Sequence, residues 1–152
     1  MSENESDEVV VSGLDLDGDG EIDGVNVTET TSKDVDGDGF GDVVTETSTT
    51  VVDLDGDGSP DVLTTTETTV YDLDGDGVPD VIQEVTTTAV DVDGDGVADI
   101  VTRSVVTAAD VDGDGELDVV HEIIETGVDA DGDGEIDELE ITETLSTPDE
   151  GA

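Results

Sequence analysis

The sequence predicts an all-β chain, an elongated array of tandem repeats. Two observations carry this. A nine-residue acidic stretch recurs at 15–23, 34–42, 53–61, 72–80, 91–99, 110–118 and 129–137, each start 19 residues after the last. A fixed period marks an array whose units contact mainly their neighbours. The ten residues between stretches are rich in Thr and Val, as in VVTETSTTVV and VLTTTETTVY, and no proline interrupts them. Those residue types favour extended backbone.

The elements follow in order. Residues 1–13 form an acidic segment containing a first strand. The array of seven loop-plus-strand units covers 14–145, and 146–152 is a tail. The unit is numbered 1–19 from its first aspartate. Positions 1, 3, 5 and 9 are Asp, and positions 4 and 6 are Gly, in all seven copies. Positions 2 and 11 are always apolar, for example Leu54 and Leu63. One segment, DVVHEIIETG (118–127), has apolar pairs four apart and also fits a helix. The Thr-rich segments at the same place in other repeats are poor helix formers, and identical spacing argues for one conformation throughout.

Composition limits what the chain can do. It has 152 residues, 46 of them acidic against two basic, Lys33 and Arg103, for a net charge of −44. Phe40 and Tyr71 are the only aromatics. High charge with so few large side chains reads as disordered unless something neutralises the charge. Such a surface repels phosphate, which excludes nucleic acid as a direct partner. There is no cysteine, so disulfides and thiolate chemistry are absent. No stretch has the length and hydrophobicity of a membrane span, so no membrane insertion is expected. The N-terminus, MSENESDEVVVSG, does not read as a secretory signal.

The acidic stretch has the chemistry of a cation loop. Asp at alternating positions converges from one side, while Gly permits a left-handed turn. The candidate carboxylate ligands are four per loop: Asp15, Asp17, Asp19 and Asp23; Asp34, Asp36, Asp38 and Asp42; Asp53, Asp55, Asp57 and Asp61; Asp72, Asp74, Asp76 and Asp80; Asp91, Asp93, Asp95 and Asp99; Asp110, Asp112, Asp114 and Asp118; Asp129, Asp131, Asp133 and Asp137. The position 7 carbonyls of Glu21, Phe40, Ser59, Val78, Val97, Glu116 and Glu135 would add one ligand each. An all-oxygen set without imidazole or thiolate suits Ca²⁺. Mg²⁺ is the weaker candidate, because it retains water and demands a stricter octahedron. Seven bound Ca²⁺ would bring the charge from −44 to −30.

D-x-D-G-D-G-x-x-D resembles the calcium loop of integrin-type FG-GAP repeats and is similar to loops of thrombospondin type 3 repeats and dockerins. The resemblance covers nine residues in each 19 and implies calcium, not a fold. An EF-hand would place a bidentate Glu at position 12. Here that position is Asn26, Thr45, Thr64, Gln83, Thr102, His121 and Glu140, so Asp at position 9 must substitute.

Two β arrangements fit. In a parallel β-solenoid or β-roll, loops stack about 4.8 Å apart; in an antiparallel meander, loops at one end lie about 9.6 Å apart. Loops with five or more oxygen ligands at about 2.4 Å are bulky, and neighbouring Asp clusters repel, so the meander is favoured. If positions 2 and 11 face each other across each hairpin, all the invariant apolar positions line one face of the sheet.

The expected function is that of a calcium-binding structural or adhesive protein that folds and rigidifies on Ca²⁺. Its unpaired outer strands would favour self-association into an oligomer, fibre or surface assembly. An extracellular or cell-surface setting is expected, by a route not legible in the sequence. A soluble calcium buffer or sensor is the alternative, and affinity separates the two: about 10⁻⁴–10⁻³ M for extracellular modules, about 10⁻⁷–10⁻⁵ M for sensors. A minor alternative is calcium-dependent ice binding through T-x-T triplets such as Thr64-Thr65-Thr66. Repeats 5 and 6 interrupt these with VTRSVVTAA and VVHEIIETG. Catalysis is not expected: His121, the single histidine, has no nucleophile motif beside it.

Overall fold

A computed structural model describes residues 4–147, with side chains from residue 7. Its elements are β1 (Asn4–Leu14), β2 (Gly24–Asp34), β3 (Val43–Val52), β4 (Val62–Tyr71), β5 (Val81–Val90), β6 (Ile100–Ala109), β7 (Val119–Val128) and β8 (Glu138–Ser146). All eight join one sheet in the order β1-β2-β3-β4-β5-β6-β7-β8, each antiparallel to its neighbour. The chain is therefore an antiparallel meander, and the segment that also fitted a helix is strand β7. The described residues contain no helix.

Each acidic stretch is a hairpin loop, numbered L1 to L7. Successive hairpins turn at opposite ends of the sheet. L1, L3, L5 and L7 form one row, and L2, L4 and L6 form the other.

The ladder register corrects the expectation that all invariant apolar positions share a face. Position 2 lies in the loop, outside the ladder. Leu16, Val35, Leu54, Leu73, Val92 and Val111 are 57–72% exposed there. The neck closes further in, because the position 9 amide returns to the residue preceding the loop, as in Asp61 N–H to Val52 O at 2.9 Å and Asp99 N–H to Val90 O at 2.9 Å. Position 11 then pairs with position 18 of the adjacent strands: Leu63 lies opposite Val51 and Ala89. Because 19 is odd and strands alternate in direction, position 11 falls on opposite faces in successive strands.

The result is one layer with apolar belts on both faces near each row of loops. One belt runs Val51–Leu63–Ala89–Val101; at the other end another runs Val44–Val70–Ile82–Ala108–Val120. Between the belts lie rows of hydroxyls. Thr50, Thr64, Thr88, Thr102 and Thr126 are consecutive cross-strand neighbours, and Ser48, Thr66, Thr86 and Ser104 form the next row on that face. Pairs within these rows approach hydrogen-bond distance, with Thr64 Oγ1 to Thr88 Oγ1 at 3.2 Å and Thr66 Oγ1 to Thr86 Oγ1 at 3.1 Å. Cross-strand pairs of this kind contribute about 0.2–1 kcal/mol each. The rows continue through repeat 5, where the sequence interrupts the T-x-T triplet, because Thr102 and Ser104 keep the parity.

This architecture has almost no core. Ala108 is the one buried hydrophobic residue among those described, at 8% exposure. Burial of apolar surface cannot supply the usual driving force at about 25 cal/mol per Å² when so little is buried. Backbone ladders, side-chain pairs and the loops carry the fold.

Candidate metal centres

In each loop the backbone folds its own carboxylates inward. L5 shows the pattern. Gly94 N–H donates to Asp91 Oδ1 and Gly96 N–H to Asp91 Oδ2, both at 2.8 Å. Asp95 N–H donates to Asp93 Oδ1 at 3.1 Å, and Val97 N–H to Asp95 Oδ1 at 2.8 Å. Val92 N–H donates to Asp99 Oδ2 at 2.5 Å, which turns position 9 back over the loop. The bonds accepted by positions 1, 5 and 9 recur in all seven loops.

Two glycines make this wrapping possible. Position 4 has φ between +74 and +84, and position 6 between +85 and +99, in the seven loops. Every positive-φ residue in the described chain is one of these glycines. A side chain there would strain the backbone.

The wrapping brings carboxylate oxygens together. Oxygens of Asp15, Asp17 and Asp19 lie within 4.8 Å of one another, as do those of Asp34, Asp36 and Asp42; Asp53, Asp55 and Asp57; Asp72, Asp74 and Asp80; and Asp91, Asp93 and Asp99. Two oxygens bound to one cation at about 2.4 Å stand at most about 4.8 Å apart, so the clusters fit an oxygen-liganded ion of that size. Each accepted N–H leaves further lone pairs on the same carboxylate. At position 7 the amide serves Asp at position 5. The side chain there varies from Glu to Phe, and Phe40 is exposed. Only the main chain of that residue is common to the seven loops.

Electrostatics differ between positions. Asp91, Asp110 and Asp129 are held below the ordinary carboxylate value chiefly by the amides of Gly96, Gly115 and Gly134, against opposing desolvation. Asp112 is pushed up, first by the charge of Asp114. In L5, L6 and L7 position 1 is therefore the anchored carboxylate, and Asp129 is 3% exposed. Position 3 in L6 carries the repulsion that a cation would relieve.

Loops in one row are joined through the main chain. From L3 onward the position 1 amide donates to the position 9 carbonyl two loops earlier: Asp53 to Asp23 at 2.8 Å, and Asp91 to Asp61, Asp129 to Asp99, Asp72 to Asp42 and Asp110 to Asp80 at 2.9 Å. Both residues in each bond belong to candidate ligand sets, so neighbouring sites share a rigid strut. A cleft between L2 and L4 is lined by Asp36, Asp42, Asp72 and Asp74 with Val35 and Leu73.

Position 8 has a role that the loop motif does not reveal. In repeats 1 and 7 its isoleucine side chain folds back toward position 18 of the preceding strand. A Cβ on Gly13 would lie 2.9 Å from Ile22 Cδ1, and one on Gly127 would lie 3.1 Å from two carbons of Ile136. A Cβ on Gly41 would collide with Ser32 Oγ. The sizes compensate: Gly with Ile at both ends of the array, Ser with Gly in repeat 2. That reciprocal pattern nine residues apart was the available sequence signal.

His121 Nε2 lies 2.8 Å from Glu143 Oε1 on the next strand, and Arg103 pairs with Glu125 at 3.3 Å. These are cross-strand surface pairs between strand residues. No protein family, curated protein or solved structure matches this chain.

Proposed function

We propose that the chain is a calcium-stabilised structural repeat protein, disordered without the ion and a rigid β ribbon with it. The observation that carries this reading is the combination of seven like-built acidic loops with a sheet that has almost no core. Without a cation, four carboxylates per loop repel one another across a few ångströms, and little buried apolar surface opposes them. With a cation, each loop becomes a fixed corner that sets the register of two strands. Binding free energy is then folding free energy. The all-oxygen donor set, with no imidazole or thiolate, favours Ca²⁺ over zinc or copper. The likeness of D-x-D-G-D-G-x-x-D to FG-GAP and thrombospondin type 3 loops supports the same ion. A scaffold of this kind suits an extracellular setting, where calcium is abundant.

Circular dichroism in millimolar calcium and in excess EGTA tests the proposal. A β signal that appears with calcium and collapses with EGTA is expected; an unchanged β signal after EGTA would sink it. A second reading, calcium-dependent ice binding, is favoured by the two hydroxyl rows on one face, and thermal hysteresis in calcium measures it. The cross-strand pairing of those hydroxyls and the glutamates beside them favour the structural reading.

A further inference from the structure

We infer that a second copy of this chain extends the sheet head to tail, with β1 of one copy pairing antiparallel beside β8 of another. The inference rests on the register and stands apart from the identity of the ion.

The two outer strands each have one ladder side without a strand partner among the described residues. Both strands also expose apolar side chains. Val9, Val10 and Val11 on β1 are 52–65% exposed, and Leu139, Ile141 and Leu145 on β8 are 58–69% exposed. An exposed apolar outer strand is a template for pairing.

Parity selects the partner. Throughout the sheet, position p pairs with position 29 − p of the next strand, as in Val51 with Leu63. Carried past β8, that rule sets Leu139 opposite Gly13 and Ile141 opposite Val11 of the second copy. Gly13 and Leu139 lie on the same face, because each belongs to the row linking Gly13, Val25, Val51, Leu63, Ala89, Val101, Gly127 and Leu139. A translated copy therefore keeps face, direction and register together. Two β8 strands related by a two-fold axis do not. The same rule would set Leu139 opposite Ser146, and these are seven apart, on opposite faces. A symmetric pair must slip by an odd number of residues, which misaligns both rows of loops. The same holds for two β1 strands.

Charge fits the same register. Glu140 falls opposite Ser12, Glu143 opposite Val9, and Glu8 opposite Thr144, so no carboxylate of this stretch faces another. Like charges directly opposite destabilise a sheet, and this register avoids them. Repulsion from the remaining net charge is screened beyond about 8 Å at physiological salt. A head-to-tail contact that does not close into a ring extends as a filament.

The chain has no cysteine, so engineered thiols report the register directly. Val11→Cys and Ile141→Cys variants are prepared separately; both positions are exposed, and circular dichroism checks that each is folded. Mixed under mild oxidation in physiological salt and millimolar calcium, they are expected to give a covalent heterodimer. The double variant should give a ladder in steps of 15.6 kDa. Homodimers as abundant as the heterodimer, or no cross-linked product from folded chains, would overturn the inference. A β signal that survives EGTA overturns the calcium reading while leaving this test intact.

Discussion

Replacing Gly96 by alanine isolates the backbone term on which the loop depends. Gly96 has φ +87, and a Cβ placed on it meets nothing within 4 Å. The substitution therefore adds no clash beyond the residue's own chain neighbours. What it adds is the strain of an L-residue in left-handed backbone, about 1–2 kcal/mol. For a chain of this size, 1 kcal/mol lowers Tm by about 2–4 °C, so a loss of about 2–8 °C is expected. Because loop closure and ion binding are coupled in the proposal, the same energy weakens that one site about 5–30-fold. Gly96→Asn should lose less, since asparagine enters the left-handed region more readily. Gly94, at φ +78, is closer to the ordinary left-handed well and should tolerate alanine better than Gly96 does. Thermal unfolding by circular dichroism in millimolar calcium reads the shift, and calorimetric titration reads the site. An unchanged Tm for Gly96→Ala, or an equal loss for alanine and asparagine, would refute the reasoning.

Two further measurements probe the packing and the charges. Gly127→Val would press against Ile136 and destabilise by about 1–3 kcal/mol, the usual scale for overpacking; Ile136→Ala in the same chain should restore most of it, and independent, additive effects would argue against the contact. Acid should act late. The carboxyls of Asp91, Asp110 and Asp129 are lower in the folded sheet than the ordinary 3.8, so their stabilisation is complete above 3.8 and is lost as pH falls through their folded values. Asp112 has the opposite sign: its raised value means that ionisation costs stability, and protonation relieves it. A cation in L6 would relieve Asp112 and leave the three anchored groups, so the β signal at saturating calcium should decline below pH 3.8, and a midpoint near neutrality would contradict this assignment.

The loops were readable because their chemistry is local. Asp at positions 1, 3, 5 and 9 and Gly at 4 and 6 specify a turn whose hydrogen bonds, apart from the neck closure and the links along each row, stay within the nine residues. The strands were readable because Thr and Val recur where Pro and Gly rarely do. The meander could be argued from crowding of acidic loops. The two-faced distribution of apolar residues could not be read from position 2 and position 11 alone, since that depends on where the hairpin neck closes. Asp at position 9 sets the neck by bonding back to the residue before the loop, and this moves position 2 out of the ladder.

By itself, then, the sequence determined a period, a loop chemistry and an extended backbone between loops. Only the tertiary structure decided which residues share a face, which loops are neighbours and which outer strands are compatible. The physical reason is parity. An odd repeat length alternates faces as the chain alternates direction, so equivalence is restored only after two strands, and that relation exists between strands and not within any one of them.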